Sequence, residues 1–251
     1  MMPSTTPSRF GLTFVAAALA CAAGCNAPAT QVTQYGRMRE VLRNGQLQPR
    51  IALSEVTVRP HAHAVGALAD LDREVSIVDG VALVSRVRDG VLASGPPVPG
   101  DRATLLTLAY VERWHGAALG SAAGDRELET TVEEIARNAG VADDEPFPFV
   151  VEGELTALDM HVINGECPLA GAHDEAGAKS GPRAAYQLRL DRPTRGKLVG
   201  FFATGREGDM THHGTRIHVH AVLEHEGRTV TGHVERVSVA AGAQVRVPHP
   251  R

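Results

Sequence analysis

Polar and apolar residues alternate along the C-terminal part of the chain in a pattern that predicts β-strands. Between residues 216 and 223, His218 and His220 stand two positions apart, with apolar residues on either side of each. Successive side chains of a strand point to opposite faces, so we expect the two imidazoles on one face. The pair Glu226-Gly227 then predicts a turn, after which a second β-branched run begins.

The predicted turn fixes the register of these two strands. With Glu226 and Gly227 at its centre, antiparallel pairing sets His233 opposite His220. Facing Cβ atoms lie about 4.5–5.5 Å apart, so three imidazoles are expected to converge with His218. Three protein ligands and one open position are typical of a catalytic zinc ion. The alternative is a solvated hairpin that is merely rich in histidine, since the same region also contains His212, His213 and His225.

The rest of the pattern predicts many strands and few helices. Asp79-Gly80 between two apolar runs, 74–78 and 81–84, predicts a hairpin with a type I′ turn. An apolar stripe predicts the longest helix over Leu128–Gly140, capped by Thr130 or Thr131. Further predictions are a short helix over 35–43 and strands over 147–151, 155–163, 186–190 and 197–203. Helices and strands do not alternate regularly, so we predict an α+β fold of mixed, mainly antiparallel β-sheets in two packed subdomains.

Residues 1–25 have the pattern of a targeting segment. Arg9 precedes a short apolar run, too short to span a bilayer, that ends in Ala-Ala-Gly-Cys25. This ending is similar to the site at which bacterial lipoproteins are cleaved and lipidated; ordinary secretory cleavage nearby is the alternative. Both predict an exported protein, periplasmic or anchored to the outer membrane. Cys167 would then be the remaining thiol apart from Cys25, so no intramolecular disulfide is expected.

The predicted organisation after the signal peptide is a tether followed by one domain. Residues 26–34 are polar and form the tether, and residues 35–251 divide into an N-terminal sheet part (about 35–145) and a C-terminal metal-binding β part (about 146–251). Residues 165–183 lack periodicity and are either a lid over a site or a disordered insert. The net charge is −4 without a basic run, which argues against nucleic acid as a partner. A membrane contact is expected through the N-terminal lipid alone, and a homodimer is possible.

Several segments of the mature sequence resemble the α-acetolactate decarboxylase family. They are residues 66–74 with the hairpin that follows, 149–161, 196–201, and the pair His218-x-His220 and Gly232-His233-Val234. The family carries a His-x-His on one strand and a Gly-His-Val on the next as its metal pattern. The resemblance implies a zinc-dependent carbon–carbon lyase, in which Zn²⁺ acts as a Lewis acid while acetolactate, a branched 2-hydroxy-3-oxo acid, loses carbon dioxide and becomes acetoin. It also implies Glu74 as the carboxylic acid that handles the proton, whereas the residue alone would suit a surface position beside Arg73.

The sequence departs from the family pattern around the substrate. Ala67 stands where the family has threonine, and Arg73 where it has glycine. His161 aligns with the arginine that receives the substrate carboxylate, and histidine lacks the planar fork of donors that arginine offers. Other cations that can take over are Arg189, Arg192 and Arg206.

These departures leave two alternative functions open. The first is a protein of the same fold that binds a metal and a small carboxylate, inactive on acetolactate or acting on another oxo acid. The second is a metal-binding protein without a substrate. Nearby residues also have two interpretations each: Glu235 hydrogen-bonds a ligand imidazole or forms a surface salt bridge, and His212 and His213 form a polar loop or lie over the metal.

Overall fold

The computed structural model describes residues 30–57, 59–142, 144–165, 167 and 184–249. Within these ranges the chain forms two largely antiparallel β-sheets and three α-helices, which confirms the predicted fold class. The predicted signal peptide, most of the predicted lid and the first residues of the predicted tether lie outside the described residues. No helix in the described ranges has both the length and the apolar character needed to cross a membrane.

The first part of the chain forms β1 (Val32–Tyr35), α1 (Met38–Leu42), β2 (Ile51–Ala52), α2 (Leu53–Val56), β3 (Ala62–Leu68), a 3₁₀ turn (Ala69–Leu71), β4 (Glu74–Val78), β5 (Val81–Arg88), β6 (Val91–Gly95) and β7 (Arg102–Tyr110). Its seven strands make the first sheet, in the order β1-β7-β3-β4-β5-β6, with β2 paired to β7. All residues of β3 are buried, because the strand is central and both of its faces are covered. Residues 32–34 of the predicted tether therefore belong to β1, which pairs with β7.

The second sheet has eight strands and carries the longest helix. Its elements are β8 (Trp114–Ala118), β9 (Ala123–Gly124), α3 (Asp125–Ala139), β10 (Phe147–Val162), β11 (Tyr186–Arg189), β12 (Thr194–Phe202), β13 (Ile217–His225), β14 (Arg228–Val239) and β15 (Gln244–Pro248). The chain thus passes to this sheet after β7, earlier than the predicted division at about residue 145. The predicted cap of α3 is wrong: the helix begins one turn earlier, after Gly124, and the hydroxyls of Thr130 and Thr131 bond to carbonyls of the preceding turn.

Strand β10 closes four strands of this sheet into a ring. Its first half pairs with β12 and its second half with β14, while β12 pairs with β13 and β13 with β14. The two separate strands predicted over 147–151 and 155–163 are therefore one strand, whose register shifts after Leu155 as it changes partner. Apolar side chains of all four strands join one core cluster, including Phe149, Leu198, Ala221 and Val239.

Both predicted turns are present, and both have the geometry of type I′, which the sequence predicted for the first of them. The central residues of the first turn, Asp79 and Gly80, have φ of 50° and 81°. Those of the second turn, Glu226 and Gly227, have φ of 49° and 73°. Positive φ at both central positions is the signature of this turn, whose twist matches that of the flanking strands. The second turn sets the register of β13 and β14 and so determines where the histidines lie.

Candidate metal centre

Three buried histidines of β13 and β14 converge, as the register predicts. His220 pairs directly with His233, and His218 lies two residues before His220 on the same face. One nitrogen of each ring lies within 4.8 Å of one nitrogen of each of the other two. The ring centres are 5.3 Å apart for His218 and His220, 5.0 Å for His218 and His233, and 5.7 Å for His220 and His233.

Two glycines allow the strands to approach closely enough for this convergence. A Cβ at Gly232 would lie 2.6 Å from the carbonyl oxygen of His161 on β10. A Cβ at Gly200, on β12, would lie 2.8 Å from the carbonyl oxygen of His218. Any side chain at either position would push apart the strands that carry the histidines.

The geometry of this histidine triad fits a metal ion. Tetrahedral zinc with bonds of about 2.0–2.1 Å to nitrogen places the centres of neighbouring imidazoles about 5 Å apart, close to the spacings observed here. His218 Nδ1 is buried and has no hydrogen-bond partner in the described structure, which is costly for a polar atom unless a further ligand satisfies it. Imidazole ligands suit zinc and also copper, iron and nickel, so the donor set defines a transition-metal site without selecting one metal.

The triad is held in the uncharged form that a metal requires. Burial and the neighbouring imidazoles lower the pKa of His218 and of His233 well below its usual value. Burial also lowers the pKa of His220 to about 3. At neutral pH the three rings therefore keep a free lone pair each.

A chain of hydroxyl groups fixes the tautomer of His220. Thr231 Oγ1 donates to the carbonyl oxygen of Ala221 at 2.7 Å, so it must accept from Ser76 Oγ, 2.6 Å away. Ser76 Oγ in turn accepts from His220 Nδ1 at 3.0 Å, which leaves Nε2 of His220 with a free lone pair for a metal ion. Such partners orient metal-binding imidazoles and raise their basicity. Ser76 belongs to β4, so the first sheet completes a site whose ligands come from the second.

Glu74 lies two residues before Ser76 and shares its face of β4. Its carboxylate is buried, and Oε2 accepts a hydrogen bond from the backbone N–H of His233 at 2.7 Å. Burial raises the pKa of Glu74 to about 7, although the charge of His161 opposes this shift. Glu74 can therefore hold or release a proton near neutral pH, and the surface position considered from the sequence is excluded. Ser85 fixes the Glu74 backbone through two hydrogen bonds of 3.0 and 3.2 Å.

His161 lies against the triad, and its two ring nitrogens face other side chains of the protein. Its ring centre is 4.9 Å from that of His233. Nδ1 donates to Glu235 Oε1 at 2.8 Å, and Nε2 lies 3.7 Å from Glu74 Oε1. Burial disfavours the charged ring, but hydrogen bonds to Cys167 and Glu235 and the charge of Glu74 outweigh it and raise the pKa of His161 to about 10. A positive charge therefore lies at His161, as it would with an arginine at this position, but the ring N–H groups face protein partners.

The partner of Glu235 differs from both interpretations of the sequence. It pairs with His161 and not with a triad histidine, because β14 turns toward β10 after His233. The hydrogen bond to His161 lowers the pKa of Glu235. Of the arginines considered as carboxylate partners, Arg189 instead forms an ion pair with Asp159 at 2.8 Å.

His212 lies beside the triad, whereas His213 does not contact it in the described structure. The ring centre of His212 is 4.8 Å from that of His233 and 6.0 Å from that of His218. Burial and the charge of His161 lower the pKa of His212 to about 4. The exposed His213 ring packs near Gly208. The loop interpretation therefore holds for His213 and is wrong for His212.

A cavity of about 330 Å³ opens beside His233, between α3 and the open ends of β13 and β14. Its apolar wall contains Ile217, Val219, Val234 and Val237, and its polar wall contains His212, His233 and Glu235. Residues of α3, among them Arg126 and Glu129, form the rim. The volume and the mixed lining suit a small organic molecule. Arg126 had no signal in the sequence, because its place at the rim depends on the packing of α3.

The fold is similar to that of α-acetolactate decarboxylases of known structure. The structure of the enzyme from Bacillus subtilis strain 168 superimposes with a TM-score of 0.64 at 18% identity, covering 88% of this chain and 86% of the other. That from Bacillus subtilis subspecies spizizenii gives 0.63 at 18% identity over 88% and 87%. A Staphylococcus aureus protein of unknown function, similar to α-acetolactate decarboxylase, gives 0.59 at 13% identity over 86% and 84%. No protein-family model and no curated protein sequence matches the chain.

Proposed function

We propose that this protein is a zinc-dependent carbon–carbon lyase that decarboxylates a small branched 2-hydroxy-3-oxo acid, converting acetolactate to acetoin and carbon dioxide. The observation that carries the proposal is the buried triad of His218, His220 and His233, with the carboxyl group of Glu74 bonded to the backbone of one of its members. The likeness of the fold to the two decarboxylases supports it, as does the cavity beside His233.

The two halves of the site divide the chemistry of the reaction. Zinc bound by the triad would act as a Lewis acid and stabilise negative charge on the oxygens of the substrate. When the bond to the carboxylate breaks, carbon dioxide leaves and the electron pair of that bond stays on the substrate. A proton must then reach carbon, and we assign its delivery to Glu74, whose buried carboxyl group is hydrogen-bonded to the backbone of His233.

His161 stabilises this arrangement through charge. As a buried cation between Glu74 and Glu235, it pairs with the carboxylate of Glu235 and leaves Glu74 to exchange a proton. Its occupied nitrogens also favour a second candidate function, a protein of the same fold that binds a metal and a small carboxylate but acts on another oxo acid. On acetolactate we therefore expect lower activity than in an enzyme with a free arginine at this position.

The test is carbon dioxide release from acetolactate by zinc-loaded protein, with variants whose metal content is measured in parallel. Glu74→Gln keeps the size of the side chain but cannot cycle a proton, so release should fall by about 10²-fold or more with zinc retained. Glu224→Gln, an exposed carboxylate on β13, is the matched control and should leave release unchanged. Equal release by wild type and Glu74→Gln would remove Glu74 from the mechanism. Absence of release by zinc-loaded wild type would favour the second candidate.

We further propose that the protein is exported and anchored through a lipid on Cys25. The support is the sequence of residues 1–25, with its apolar run and its Ala-Ala-Gly-Cys ending. Replacing Cys25 by Ser should shift the protein from the membrane fraction to the soluble exported fraction. Unchanged membrane attachment in that variant would place the anchor elsewhere.

A further inference from the structure

His212 is held beside the histidine triad by the segment that connects β12 to β13. The hydroxyl of Thr211, the residue before it, donates to the carbonyl oxygen of Thr215 at 2.8 Å. The hydroxyl of Thr215 donates to Glu129 of α3 at 3.0 Å, and Glu129 also accepts from the backbone N–H of Arg216 at 3.0 Å. Because the segment is bonded on both sides of His212, the position of this imidazole is defined by the fold.

The position is next to the metal ligands but separate from them. The ring centre of His212 lies 4.8 Å from that of His233, at an interplanar angle of 73°. Among the described residues, however, the set of mutually close ligand atoms contains the triad and not His212. An imidazole just outside a ligand set is well placed to contact a molecule held beside the metal.

His212 lines the cavity together with His233, and branched apolar residues, among them Ile217 and Val219, line it as well. A small branched hydroxy or oxo acid suits such a mixed lining, because it carries methyl groups for the apolar residues and oxygens for the polar ones. His161 is poorly placed for these oxygens, since its Nδ1 bonds to Glu235 and its Nε2 faces Glu74.

We propose that His212 is a substrate-binding residue that donates a hydrogen bond to an oxygen of a small hydroxy or oxo acid in the cavity beside His233. This inference rests on the proposed function, because it assumes a metal in the triad and an oxygen-bearing ligand next to it. It assigns the role of orienting the substrate to a residue of the β12–β13 segment, in place of the residue at position 161.

The test uses the protein loaded with Co²⁺, whose visible absorption reports on ligands near the metal. 2-Hydroxyisobutyrate, a stable branched hydroxy acid, is titrated into wild type, His212→Ala, His212→Gln and His213→Ala, after the cobalt affinity of each has been measured. We expect the dissociation constant for the hydroxy acid to rise roughly three- to tenfold in His212→Ala, as for the loss of one hydrogen bond. His212→Gln, which keeps an N–H donor, should recover part of the affinity, and His213→Ala should match wild type.

Two results would overturn the role of His212 while leaving the metal centre intact. One is unchanged affinity for the hydroxy acid in His212→Ala. The other is a loss of cobalt affinity of tenfold or more in His212→Ala, which would make His212 a metal ligand. Failure of wild type to bind cobalt is distinct from both, because it would refute the proposed metal centre and this inference together.

Discussion

Replacing Ser76 by Ala should weaken zinc binding although Ser76 does not itself belong to the triad. The substitution removes the oxygen that accepts the hydrogen bond from His220 Nδ1 at 3.0 Å. Among the described residues, this N–H has no other hydrogen-bond acceptor. Ser76 also ends the hydroxyl chain that begins at Ala221 and passes through Thr231, so the variant frees the ring to rotate and to change tautomer.

The expected magnitude follows from the burial of this contact. Ser76 and His220 are both buried, with relative exposures of 0% and 1%. An unsatisfied buried donor costs about 1–3 kcal/mol, and loss of an outer partner of a metal-binding histidine typically weakens metal affinity by about 10–100-fold. The two estimates agree, since about 1.4 kcal/mol corresponds to tenfold. We therefore expect the zinc dissociation constant of Ser76→Ala to rise by at least about tenfold.

The assay is competition for zinc with a chromophoric chelator at constant pH. Ser238→Ala is the control, because it removes a serine hydroxyl from β14 away from the hydroxyl chain. Thermal unfolding of the metal-free variants shows whether both are folded. A zinc affinity of folded Ser76→Ala within about twofold of wild type would refute the reasoning, because the hydroxyl chain would then contribute nothing to His220.

Three further predictions concern stability and pH. Gly232→Ala should lower the unfolding temperature markedly, because its Cβ would lie 2.6 Å from the His161 carbonyl oxygen, whereas Gly120→Ala, with open space around it, should not. His63→Phe should make the free energy of unfolding less sensitive to acid. Burial lowers the pKa of His63 to about 4, so the stability that the neutral ring contributes is present above pH 6.5 and is lost as the pH falls toward 4. The loss in wild type should be roughly 3 kcal/mol larger than in the variant, measured by denaturant titrations at the two pH values. Acid insensitivity of wild type over this range would contradict it. Zinc affinity should change little between pH 7 and pH 5, because burial keeps the ligand nitrogens unprotonated and lowers the pKa of His220 to about 3; a steep loss of affinity just below pH 6 in chelator titrations would contradict this burial of the triad.

The triad was predictable because its register depends on local rules. Strands alternate with a period of two, and Glu226-Gly227 forms the turn that sets His233 opposite His220. No contact with a distant part of the chain is needed to derive these positions. The same holds for the hairpin of β4 and β5.

The surroundings of the triad depend on packing between distant segments and were not predictable in this way. Ser76 reaches His220 because β4 of the first sheet lies against the second, across 144 residues of sequence. Glu235 meets His161 because β14 leaves β13 for β10, a change of partner without a local sequence signal. A partial signal did exist for Ser76, since it follows Glu74 by two positions and so shares the face of a residue already considered part of the site.

The central claim is that His218, His220 and His233 form one metal centre. Its most direct test is the zinc content per chain of wild type and His220→Ala. Each protein is reconstituted with zinc, unbound zinc is removed, and the bound metal is measured by inductively coupled plasma mass spectrometry. The structure predicts about one zinc ion per chain in wild type and little in His220→Ala, since loss of one of three ligands leaves an incomplete site. Equal zinc content in the two proteins, or none in wild type, would contradict the assignment.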